Sequence, residues 1–150
     1  MLALALAGGL AWWFLHPRPT DRELIDNLIA KAVHGVETKS VDEIMGCVAD
    51  DYRDGLGLTR TDIWRAANSW VRNPDQAQVV IDNYVVDIQP PTATGTFEVR
   101  LLLNQNSQSL ESGLLHLSVE FEQQKRRWRK VWLVKSVSGP ELGKLFEDYM

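Results

Sequence analysis

QAQVVIDNYVVDIQPPTATGTFEVRLLLNQNSQSLESGLLHLSVEFEQQKRRWRKVWLVKSV, residues 76–137, holds four segments whose side chains alternate between apolar and polar. Alternation with a period of two is the signature of strands with one buried face. Val79 to Ile88 is rich in β-branched residues, and its alternation slips near Asn83, which predicts a bulge. Gln89-Pro90-Pro91 ends that strand. From Thr94 to Leu103, Phe97, Val99, Leu101 and Leu103 share one face and Glu98 and Arg100 the other. Asn104 to Gly113 reads as a polar loop of ten residues. Leu115, Leu117, Val119 and Phe121 then alternate against His116, Ser118, Glu120 and Glu122. In the last segment, Trp128 to Val137, the spacing sets Val131, Leu133 and Val137 against Trp128, Trp132 and Val134. Both of its faces are apolar, so it is predicted to be a central strand covered on both sides. One curved antiparallel sheet follows, with the preceding helices packed on it.

Those helices announce themselves by their caps. Thr20 with Glu23 forms a capping box, and Leu24, Ile25, Leu28, Ile29, Ala32, Val33 and Val36 repeat at helical spacing through about Glu37. Asp26, Asn27, Ala30 and Lys31 fall on the opposite side. After a break at Thr38-Lys39, Ser40 with Glu43 repeats the device, and Val41, Ile44, Met45 and Val48 give a short second helix. Asp50 to Leu58 reads as a short extended piece with a turn at Gly55 and Gly57. Thr59 with Asp62 opens a third helix through about Arg72, whose apolar side carries Ile63, Trp64, Ala67, Trp70 and Val71. Pro74 stops it. At the far end, Ser138-Gly139-Pro140-Glu141 opens a short terminal helix.

Residues 2–15 are uncharged and apolar, ending in Trp12-Trp13-Phe14 before His16-Pro17-Arg18-Pro19. As a helix this run reaches about 21 Å, short of the roughly 30 Å hydrocarbon core. Paired tryptophans followed by an arginine nevertheless fit an interfacial anchor. The expected organisation is an apolar leader, residues 1–19, acting as a membrane anchor and linker, and a domain over residues 20–150. A secreted or periplasmic protein with a degraded signal peptide is the alternative.

A net charge of −4 argues against a nucleic-acid binder, whose surface is normally basic. One basic cluster, Lys125-Arg126-Arg127 with Arg129 and Lys130, falls at the predicted turn between the last two strands and reads as a solvated turn rather than a phosphate site. Cys47 is the single cysteine, which rules out an internal disulfide and a thiolate metal site. No histidine or acid stands at ligand spacing for a metal, and no glycine-rich phosphate loop is present, so no cofactor is expected.

Val48-Ala49-Asp50-Asp51-Tyr52-Arg53-Asp54 after the second helix, and Arg127-Trp128-Arg129-Lys130-Val131 opening the last strand, resemble patterns of the nuclear transport factor two-like superfamily, also called cystatin-like. The resemblance runs from about Thr20 to Ser138. It implies an α+β fold in which N-terminal helices pack in the concave face of a curved antiparallel sheet, a cone with a pocket at one end. It also implies dimerisation through the outer sheet face in many members. Within the superfamily, steroid-isomerase and polyketide-cyclase-like enzymes need a carboxylate base in an apolar pocket and a donor for an enolate oxygen. Asp54 falls where the isomerase base sits. Helix one, however, carries no tyrosine, and the strand at Thr94 to Leu103 offers Glu98 and Arg100 in place of a lone acid.

Two residues are therefore weak catalytic candidates, Asp54 and the mid-strand His116. Beside Gly55, Asp54 also suits a turn residue that spends its carboxylate on backbone amides. Tyr52, Trp64, Trp70 and Trp132, together with Tyr84 and Trp128, are candidate pocket-lining aromatics for a flat or apolar ligand, or else core packing. The first functional expectation is a membrane-anchored, non-catalytic domain that binds a small apolar ligand or a protein partner and self-associates through its sheet. The others are a small pocket enzyme of isomerase, cyclase or dehydratase type using Asp54 or His116, and a structural accessory domain of an envelope complex that uses the stretch from Asn104 to Gly113.

Overall fold

The computed structural model describes residues 14–149 together with Gly8, Ala11 and Trp12. Its elements are α1 (Asp21–Glu37), α2 (Val41–Gly46), α3 (Arg60–Arg72), β1 (Gln76–Gln89), β2 (Thr92–Gln105), β3 (Gln108–Arg126), β4 (Arg129–Ser138) and α4 (Leu142–Tyr149). The strands form one antiparallel sheet in the order β1-β2-β3-β4. Most of the expected membrane segment, residues 2–15, lies outside the described residues. Trp12, Phe14 and Leu15 are exposed, and among the described residues no helix is long and apolar enough to cross a membrane.

The helix caps are formed as their sequences predict, with one change. Thr20 and Glu23 exchange both bonds of the box, as do Thr59 and Asp62. Ser40 Oγ accepts from the Glu43 amide at 3.3 Å, but the Glu43 carboxylate does not return to the cap. It meets His34 Nδ1 at 2.6 Å instead, pinning the end of α1 to the start of α2. Lys39, at φ 56°, makes the reversal between them.

The helix on the concave face is α1. Ile25 and Leu28 pack with Cys47 against Val86 of β1, Ala93, Phe97 and Val99 of β2, Val119 and Phe121 of β3 and Trp132 of β4. Side chains of this size contribute about 1.5–3 kcal/mol each when fully buried, so this layer supplies most of the sheet-to-helix adhesion. A second cluster joins Met45, Val48 and Tyr52 to Ile63, Val134 and Val137. Against expectation, α3 does not lie in the concavity; it packs on α2 and α4. Only Ala67 of its apolar stripe is buried, and Trp64 is 50% exposed. The reason is room, since α1 already covers the concave face.

Three sheet features correct the reading from sequence. The stretch from Asn104 to Gly113 is no ten-residue loop. β2 and β3 stay paired out to Gln105 and Gln108, and Asn106 and Ser107, at φ 46° and 69°, make a two-residue turn. Positive φ at both central residues is the hairpin geometry that matches strand twist. Every position of this ribbon but Gln105 is exposed, so neither of its faces needed apolar side chains. β4, secondly, is an edge strand, not a central one. Its outer side is covered by the segment after α2: Val134 N–H donates to Cys47 O at 2.8 Å, Ala49 N–H to Val134 O at 2.9 Å and Arg53 N–H to Lys135 O at 3.3 Å. Its two faces are nevertheless both covered, since the adjacent Trp132 and Leu133 are 4% and 2% exposed. Thirdly, the alternation along β4 breaks at a bulge. Phe121 pairs with Val134 and Glu120 with Ser136, so Lys135 is the extra residue, and Trp132, Val134 and Val137 come to share the core face. The bulge expected near Asn83 is present, between Ile81 and Asn83.

Candidate functional site

Asp54 is 8% exposed and sits in the turn between α2 and α3. Oδ1 accepts from the amides of Leu56 at 2.9 Å and Leu58 at 3.0 Å, and Oδ2 accepts from the Tyr52 hydroxyl at 3.0 Å. The turn closes with Gly57 N–H on Asp54 O and Asp54 N–H on Leu58 O. Both oxygens of this carboxylate are engaged by three local donors, and it organises the turn. Burial, and then the bond to Asp54, push the Tyr52 phenol well above the ordinary tyrosine range.

His116 lies on the convex face of the sheet, opposite Glu98 on β2. Its Nδ1 is 3.6 Å from Glu141 Oε1, and its amide donates to Glu141 Oε2 at 3.3 Å. Asp54 and His116 thus share no bonding partner.

The four candidate aromatics are likewise dispersed. Trp132 is in the main core, where its indole N–H donates to Asp21 Oδ1 at 3.0 Å. Tyr52 belongs to the second cluster. Trp70 is half-buried at the joint of α3 and α1, donating to Val36 O at 2.9 Å, with Lys39 Nζ 4.4 Å from its ring centre. Trp64 is on the outer side of α3. Trp128, at the β3–β4 turn, is 94% exposed.

Two open depressions lie elsewhere. The first, about 470 Å³, runs over the convex face and is lined by Val85, Thr96, Glu98, His116, Ser118 and Pro140 among others. Gly139 forms part of it, because a Cβ there would meet His116 O at 2.4 Å. The second, about 400 Å³, lies between α1 and β1, floored by Ile29, Val33, Val79 and Ile81. Asp26, Tyr84, His34 and Glu37 rim it. Tyr84 donates to Asp26 Oδ1 at 2.9 Å, and that bond, ahead of desolvation, raises its phenol pKa. Reasoning from sequence passed over this rim. The available signal was the row Asp26, Ala30, Val33, Glu37, spaced four, three and four, a helix margin that mixes polar with apolar residues. Among the described residues, no group of three or more His, Cys, Asp or Glu is placed to hold a metal.

This architecture, helices cradled by a four-stranded curved antiparallel sheet with a short closing helix, is the nuclear transport factor 2-like fold, and solved structures share it. A nuclear transport factor 2-like protein from Cytophaga hutchinsonii superposes with a TM-score of 0.61 at 15% identity, covering 81% of this chain and 99% of its own. Aln2 from a Streptomyces species gives 0.68 at 11% identity, with 87% and 98% covered. A type 2 hexachlorocyclohexane dehydrochlorinase, LinA, gives 0.63 at 20%, with 79% and 82% covered. At these identities the likeness is one of fold. No protein-family model matches the chain, and no curated protein matches it in sequence.

Proposed function

We propose that the chain is a non-catalytic domain, tethered to a membrane by residues 2–15, that binds a protein partner rather than a small molecule. One observation carries this reading: the concave face, where a cone-shaped fold would hold its pocket, is filled by Ile25, Leu28, Phe97, Phe121 and Trp132. Small-molecule sites enclose most of their ligand, whereas both depressions here are open to solvent. The convex groove, where Val85 stands 63% exposed, is the contact surface, and a second copy of the chain is the first partner to test.

Cells expressing the full chain are expected to yield it in the membrane fraction through salt and carbonate washes. Recovery in the soluble fraction overturns the tether. Small apolar compounds are expected to give no saturable thermal stabilisation of the full chain. A true ligand at a hundred times its Kd would add about 2.7 kcal/mol, and seeing this would overturn the choice of a protein partner. A photoreactive residue replacing Val85 is expected to cross-link to a discrete protein. The enzyme reading is favoured by one of the similar structures being a dehydrochlorinase. It needs Asp54 to give up three hydrogen bonds.

A further inference from the structure

The basic β3–β4 turn is left unused by this reading, and it has three physical peculiarities. Lys125 pairs directly with Lys130, and Arg126 with Arg129. Like charges placed opposite one another across two strands are destabilising. Arg126 is compensated by Asp50 at 3.3 Å, while Lys125, Arg127, Arg129 and Lys130 make no ion pair with any described residue. At the apex, Trp128 holds its indole in solvent at 94% exposure. An indole is most stable where an apolar layer meets a wet one.

The third peculiarity is position. Asp21, the first residue of α1, accepts from Gln123 Nε2 at 2.9 Å and from Trp132 Nε1 at 3.0 Å. Gln123 is three residues before Arg126 and Trp132 three after Arg129, so the tip begins about 10 Å from the point where α1 starts. Residues 16–20 join α1 to the apolar leader, and five residues span at most about 17 Å. The start of α1, to which the leader is joined, and the tip therefore lie at one end of the domain.

We infer that the β3–β4 tip is a second membrane contact: an anionic lipid surface receives its four uncompensated cations while Trp128 enters the headgroup layer. This rests on the tether proposed above, which would hold the tip beside the bilayer. The net charge of the chain is −4, so the tip is a densely cationic surface on an acidic body, which orients the domain tip-down.

The test mixes the full chain with vesicles of phosphatidylcholine, alone or with phosphatidylglycerol, and measures co-flotation. Each cation near an anionic surface adds about fivefold to partitioning, so the four together give a preference of roughly several hundredfold at low salt, falling as salt rises. A variant carrying Lys125→Gln, Arg127→Gln, Arg129→Gln and Lys130→Gln, all at exposed positions, is expected to lose that preference and keep its binding to neutral vesicles. Trp128→Ala is expected to weaken binding to the mixed vesicles alone. Equal binding of parent and variant to both vesicle types overturns the tip contact while leaving the tether standing. Binding only to anionic vesicles, lost in the variant, supports the tip and removes the tether. A duplex RNA that displaces the parent from mixed vesicles by occupying the same residues would overturn the assignment to lipid.

Discussion

Replacing Asp54 separates a turn organiser from a catalytic base. Its three accepted bonds come from Tyr52, Leu56 and Leu58, and hydrogen bonds to a charged group contribute about 1.5–3 kcal/mol each against about 1 for neutral pairs. Asp54→Asn keeps an acceptor for both amides and loses their ionic strengthening, a cost of about 1 kcal/mol. Asp54→Ala loses all three and strands a buried tyrosine hydroxyl, for about 3 kcal/mol after the exposed amides find water. With a urea slope of about 1.5 kcal/mol per molar, the alanine variant should unfold about 2 M earlier than the parent. Equilibrium unfolding of the full chain in mild detergent, followed by far-UV circular dichroism, reads this directly. A double-mutant cycle with Tyr52→Phe should show coupling of about 1 kcal/mol between the two side chains. If both Asp54 variants fall within about 0.5 kcal/mol of the parent, the bonds are not holding the turn, and a role in chemistry becomes the better account of this buried carboxylate.

Three further outcomes are expected. Because burial, then Asp54, raise the Tyr52 pKa, the unfolded chain releases this proton first. Stability is then intact below the unfolded value of about 10 and declines above it by up to about 1.4 kcal/mol per pH unit; Tyr52→Phe should flatten that decline, and an unchanged alkaline limb would count against it. Gly139→Ala places a Cβ 2.4 Å from the His116 carbonyl and should destabilise by about 1–3 kcal/mol, read as a lowered melting temperature. Cys47, buried and with its thiol pKa raised chiefly by desolvation, should resist a disulfide reagent in the native chain and react at once in urea; prompt native labelling would show the core opening there.

Most of the fold could be read from the residues because its devices are local. The capping boxes at Thr20 and Thr59, the proline stops and the slip at Asn83 each act within a few positions. What failed were the places where a long-range partner decides. The ribbon from Asn104 to Gly113 is exposed at every position but Gln105, so it lacks the alternation that marks a strand. β4 mimics a central strand because the backbone of Cys47 to Arg53 lies along its free side, a contact that no pattern within residues 128–137 encodes. The site was less readable still. Asp54, His116 and the four aromatics were chosen by residue type, and type cannot say that α1 rather than α3 occupies the concavity. The turn role of Asp54 was legible, because a neighbouring Gly55 and the amides that follow are sequence facts.

The strap along β4 has a consequence for how copies of this chain can join. With that border closed, β1 is, among the described residues, the sheet margin on which another strand could be added; side chains touch its backbone at two points, where Val79 N–H donates to Glu37 Oε1 and Thr92 Oγ1 donates to the Gln89 carbonyl. Two molecules can meet there only margin to matching margin, about a twofold axis. A pair joined there uses the open border of each copy, which leaves that border unavailable for adding a further strand.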